Sequence, residues 1–96
     1  MLRDSLTKPA ASRDRAETVA LGGLAFLAAQ PEEIERFLRL SGLDVDTLRA
    51  KAADPELLRA VMEFILADDA RVTGLCQDLD LEPRDLHAAL QALGQA

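Results

Sequence analysis

The sequence predicts an all-α fold, a compact, orthogonally packed bundle of about six short helices. Three observations predict it. Leu and Ala supply most of an apolar share of 49%, with three Phe and no Trp or Tyr, a palette suited to packed helices rather than to a sheet. Apolar residues recur three and four positions apart, as one face of a helix requires. Proline and small acidic residues punctuate the chain where helices would begin. The 96 residues suffice for one modest core and no second domain. A lone cysteine, Cys76, leaves the fold to stand on packing alone, as in a reducing cytosol.

Residues 1–12 mix Ser, Thr, Pro and charge without periodicity, so a flexible arm is expected there and a single helical domain over residues 13–95. Ala16, Val19, Ala20, Leu24, Phe26, Leu27 and Ala28 make a first helix that is apolar on most of its circumference, and therefore central. Pro31, Glu32 and Glu33 restart the chain, because proline fits the first turn of a helix and carboxylates suit its positive end. The second helix faces inward with Ile34, Phe37, Leu38 and Ser41, and Gly42 suits the left-handed residue that stops it. Asp44 caps a short third helix through Val45, Leu48 and Ala52.

Asp54-Pro55-Glu56 repeats that grammar and opens a fourth helix carrying Leu57, Leu58, Val61, Met62, Phe64, Ile65 and Leu66, wide enough to be buried on two sides. Together with the first helix it is expected to form the centre. Asp68 or Asp69 caps a fifth helix with Val72, Leu75, Cys76 and Leu79 inward. Glu82-Pro83 opens a sixth, with Leu86, Ala89, Leu90 and Leu93 inward. An internal echo at an offset of 38 lays Ile34, Phe37, Leu43, Asp44, Leu48 and Ala52 on Val72, Leu75, Leu81, Glu82, Leu86 and Leu90. Two copies are too few for a solenoid and imply two similar helix hairpins packed on helices one and four.

Charge narrows the function. The chain carries a net charge of −6, and its first fifteen residues hold four basic and two acidic side chains. The remainder, with seven basic and fifteen acidic side chains, would repel a phosphate backbone. The longest apolar stretch, Val19 to Ala29, is too short to span a bilayer, and the N-terminus lacks the apolar segment of a signal peptide. A cytoplasmic location follows, with no membrane partner.

Glu17-Thr18-Val19-Ala20-Leu21, Ala25-Phe26-Leu27-Ala28, Arg36-Phe37-Leu38 and Ser41-Gly42-Leu43-Asp44 resemble a small alphaproteobacterial family, domain of unknown function 3572. The resemblance covers residues 16 to about 90, including Asp54-Pro55 and Phe64-Ile65-Leu66. It implies an all-helical bundle in a bacterial cytoplasm and carries no assigned activity. Gly22-Gly23 departs from the larger residues expected there. Each glycine costs about 1 kcal/mol against alanine inside a helix, so either another helix approaches closely or the first helix bends.

Cys76 and His87 are the only nucleophile and base types at hand. Cys76 falls on a core position and His87 on a flank, so ordinary structural roles account for both better than catalysis does. Asp78-Leu79-Asp80-Leu81-Glu82 has oxygen ligands at alternate positions. Pro83 stands where a calcium loop needs glycine, and Ala89 where it needs glutamate, so no metal is expected. Asp80 and Glu82 are expected to solvate the turn and cap the sixth helix. Asp68 and Asp69 point about 100° apart on a helix and do not form an acid–base pair. No cofactor is implied.

The residues favour a non-enzymatic interaction module that offers apolar side chains to a protein partner, with a homodimer also possible. Leu21, Leu40 and Phe64 are the apolar residues the core is least expected to absorb, and a shared exposed patch of them would mark the surface. A helix-turn-helix-like hairpin raises the alternative of a nucleic-acid-associated regulator using Arg36, Arg39, Arg49, Lys51 and Arg59. Asp44, Asp46, Asp54 and Glu56 offset those five, which favours a solvated mixed surface.

Overall fold

In a computed structural model the backbone of residues 2–94 and the side chains of residues 13–94 are described. Six helices follow one another: α1 (Leu2–Ala28), α2 (Pro31–Ser41), α3 (Val45–Ala50), α4 (Pro55–Leu66), α5 (Asp69–Leu79) and α6 (Pro83–Gly94). No strand occurs among the described residues, as the composition and periodicity require. No helix among them is long and apolar enough to cross a membrane. The expected boundary near Ser12 does not coincide with a helix start, since α1 is continuous from Leu2. The side chains of the expected arm, residues 1–12, lie outside the described residues.

Each predicted punctuation mark does its local work. Asp44 accepts from the Thr47 amide at 2.7 Å, Asp54 from Glu56 at 2.9 Å and Asp68 from Ala70 at 2.8 Å, satisfying amides that the first turn of a helix leaves without partners. Gly42 ends α2 at φ 75°, and the amide that follows it, of Leu43, donates to the Leu38 carbonyl at 3.2 Å, the closure expected of a left-handed cap. One assignment changes. Asp80 is not a cap of α6; it ends α5 in the left-handed region at φ 57°, a conformation that aspartate tolerates better than most residues. Asp85 reaches back instead, accepting from the Glu82 amide at 2.9 Å.

The core runs along one face of α1 (Ala16, Val19, Ala20, Leu27) and two faces of α4 (Leu57, Leu58, Val61, Met62, Phe64, Ile65). Phe37, Leu48, Leu75, Leu86, Ala89 and Leu93 complete it from the other helices. Helices α1 and α4 are central as expected, but α6 joins them, and these three make the most extensive contacts in the domain. The two predicted hairpins therefore differ in packing. Asp54-Pro55 restarts the chain just beyond α3, because the residue before a proline is disfavoured in helix. Helix α6 meets no such break and runs on to bury Leu93.

The glycine pair resolves as close approach. A β-carbon on Gly23 would lie 2.8 Å from the Ile65 terminal methyl, and one on Gly22 3.0 Å from a Leu79 methyl. Helix α1 stays continuous through both. The missing side chains let α4 and α5 reach its backbone.

Candidate functional site

A concavity sits where the chain turns from α1 into α2 and from α4 into α5. It is a groove of about 640 Å³ lined by Phe26, Gln30, Pro31, Glu33, Asp68 and Arg71, among others. Two helix N-termini open into it, and both carry acidic residues in or just before the first turn, Glu32 and Glu33 on α2 and Asp68 and Asp69 on α5. Gln30, at the head of α2, makes no cap; its side-chain amide donates to the Phe26 carbonyl at 3.1 Å.

Arg71 organises the groove. Its side chain is 11% exposed and forms an ion pair with Glu33, while another guanidinium nitrogen donates to the Phe64 carbonyl at 3.1 Å. The guanidinium carbon stands 3.9 Å from the centre of the Phe64 ring, a favourable cation–π arrangement. Phe64 in turn meets Phe37 edge-on, with centroids 5.4 Å apart, the geometry that aromatic quadrupoles favour. Cation, ring and second ring form one stack from groove to core. Arg71 is thus engaged on several sides, and the remaining charges of the groove are acidic, so it offers no cation to an anionic ligand.

Phe64 is accordingly not a surface residue, contrary to expectation. It is 8% exposed, because α4 is covered on the side that a simple stripe leaves free, by Phe37 from α2 and by Arg71 from α5. Leu21 and Leu40 do remain exposed, Leu40 at 72%. Val45, at the start of α3, is half out in solvent at 50%. It begins a helix of only six residues, too short to turn more than one side inward.

The basic residues of the alternative face are all exposed. Arg36 pairs with Glu33 at 3.2 Å and Arg59 with Glu63 at 3.6 Å. Arg39 and Arg49 lie in the last turns of α2 and α3, where a cation complements the helix dipole. Lys51 follows α3 as its C-terminal cap.

Cys76 lies buried in α5, and burial first, then the carboxylates of Asp85 and Glu82, push its thiol pKa up. Such a thiol stays protonated and is a poor nucleophile. His87 is exposed on α6. Among the described residues no three or more His, Cys, Asp or Glu side chains gather as metal ligands would.

Sequence reasoning did not single out Arg71. The available signal was its isolation: it is one of only two basic residues after Arg59, in the most acidic part of the chain. The family model for a protein of unknown function, DUF3572, matches residues 13–96. The chain belongs to that family. No curated protein and no solved structure matches it. This DUF3572 protein thus presents two features: an acidic groove closed by Arg71 over Phe64, and exposed Leu40 and Val45 on either side of the turn between α2 and α3.

Proposed function

We propose that this protein is a non-enzymatic interaction module, a small cytoplasmic adaptor or regulator that presents apolar side chains to a protein partner. The observation that carries the reading is the α2–α3 elbow, where Leu40 and Val45 stand 72% and 50% exposed on either side of the Gly42 turn. Leucine on a surface is common singly. Two large apolar residues flank one tight turn here, and covering a leucine or valine contributes about 1.5–3 kcal/mol. Leu21 adds an exposed leucine on α1. The inert setting of Cys76 and the mutual engagement of Arg71 and Glu33 support the non-enzymatic part of the reading.

Crosslinking in the native cytosol, followed by pull-down and mass spectrometry, tests it when native protein is compared with the double variant Leu40→Asp, Val45→Asp. The proposal expects one protein retained at high salt by the native chain and lost from the variant, with circular dichroism unchanged. Retention by both would refute it. Recovery of nucleic acid that falls steeply with salt, and is lost when Arg39, Arg49 and Lys51 become alanine, would favour the alternative reading. Sedimentation of the purified chain reports a homodimer directly.

A further inference from the structure

The offset of 38 residues reaches further than the two hairpins. Helix α1 ends at Ala28 and α4 at Leu66; α2 and α5 both have eleven residues; α3 begins at Val45 and α6 at Pro83. Every one of these boundaries is displaced by 38, the separation of Glu33 and Arg71. The left-handed caps coincide as well, Gly42 with Asp80, and the closing bond from Leu43 to the Leu38 carbonyl repeats from Leu81 to the Cys76 carbonyl at 2.9 Å. Burial keeps the same phase: Val19 and Leu57, Ala20 and Leu58, Leu27 and Ile65, Phe37 and Leu75, Leu48 and Leu86 are all core residues.

Contacts among α1, α2, α4 and α5 are reciprocal helix for helix, whereas α6 packs on both α1 and α4 and its counterpart α3 makes no comparable contact with either. Phe26 of α1 packs its ring on Gly74 of α5, and its counterpart Phe64 of α4 packs on α2 at Phe37, next to Arg36, the counterpart of Gly74. Helix α1 touches α2 and α5, and α4 touches α5 and α2. Two pairs of counterparts also touch each other. Gly23 meets Val61, whose methyl would lie 3.5 Å from a β-carbon on the glycine, and Glu33 meets Arg71. Positions related by a two-fold rotation can touch only where both lie beside the axis, so these two contacts trace its course.

We propose that the domain is built on a fused pair of two-helix units, residues 17–41 and 55–79, packed about an approximate two-fold axis that runs past Gly23 and Val61 and between Glu33 and Arg71, with α3 and α6 departing from that symmetry. The units share one backbone plan, and the cation of the junction occupies the second only by choice of side chain. Phe26 and its carbonyl stand to position 33 as Phe64 and its carbonyl stand to position 71. This inference goes beyond the interaction reading and does not depend on it.

Exchanging the junction residues between units tests it. Q30D/E33R/D68Q/R71E moves the whole set across the axis. Single variants E33R and R71E place like charges together, and each is expected to lower the melting temperature by about 5–10 °C. The exchanged protein is expected to recover most of that loss, and its crystal structure to show the arginine at position 33 over the Phe26 ring, donating to the Phe26 carbonyl. A generic surface pair would recover stability without that placement. An exchanged variant no more stable than the better single one, or an arginine at position 33 directed into solvent, overturns the proposal.

Discussion

Arg71 and Glu33, far apart in the chain, close an ion pair across the junction of α2 and α5, and the same guanidinium covers the face of Phe64. Both side chains are largely withdrawn from water, at 11% and 20% exposure. Losing either partner leaves the other charge poorly solvated. Arg71→Ala and Glu33→Ala should each destabilise the fold by about 1–3 kcal/mol, and a double-mutant cycle in urea should return a coupling of at least about 0.5 kcal/mol. Arg71→Lys should not restore it, because an ammonium lacks the planar fork that serves Glu33 and the Phe64 carbonyl together. Strict additivity of the two alanine variants would show that the pair contributes nothing.

The adjacent glycines should respond in opposite senses. Alanine at Gly22 gains helix propensity of about 1 kcal/mol and needs only a small shift of Leu79, a half-buried side chain with room to move. Alanine at Gly23 meets the methyl of Ile65, which is fully buried, and overpacking of that kind costs about 1–3 kcal/mol. Thermal unfolding should therefore place Gly22→Ala at or above the native protein and Gly23→Ala below it. The reverse order would mean that α1 and α4 are not in close approach there.

Phe64 and Leu40 separate core from surface. Truncating Phe64 to alanine removes the ring on which both Phe37 and Arg71 rest, at a cost of about 3–5 kcal/mol. Leu40→Ser, at a residue in solvent, should stay within about 0.5 kcal/mol of native. Denaturant midpoints for the two variants decide the matter, and similar values would place Phe64 outside the core.

Asp44 gives the fold a specific acid sensitivity. The Thr47 amide and hydroxyl bond its carboxylate and hold its pKa below the ordinary Asp value. A group depressed in the folded state contributes stability that is complete above its unfolded pKa and is lost as pH falls through the folded one. Asp44→Ala should therefore unfold more readily than native at neutral pH, and the two should converge in acid. Asp44→Asn, which still caps but does not titrate, should retain its advantage over alanine at low pH. Urea midpoints across the acidic range provide the check.

The Cys76 thiol should resist alkylation. Burial and the nearby Asp85 and Glu82 carboxylates disfavour the thiolate, the reactive form. Labelling by iodoacetamide near pH 8 should be far slower in the native protein than in urea, with a rate that follows opening of the fold. Equal rates in both would show that α5 leaves the sulfur accessible.

Local structure was readable residue by residue. Asp44 and Asp54 cap where composition and spacing said they would, Asp68 rather than Asp69 caps α5, and Gly42 stops α2. Such features depend on bonds to amides two or three residues away, so neighbouring letters specify them. Phe64 was assigned to the wrong environment because a helical stripe says which residues share a face and not how many neighbours that face will meet. Arg71 was missed for a related reason: its partners are Glu33 and Phe64, and only the first half of the chain folding onto the second brings Glu33 within reach.

Helix content, the order and bounds of most helices, and the repetition over 38 residues were thus written in the linear chain, since short-range hydrogen bonding and apolar periodicity act within a few residues. Three things waited for the packed domain: the packing of α6 on both α1 and α4, the covering of Phe64, and the meeting of Glu33 with Arg71. These depend on which surfaces face each other across the core, and that is settled by the joint burial of six helices rather than by any one of them.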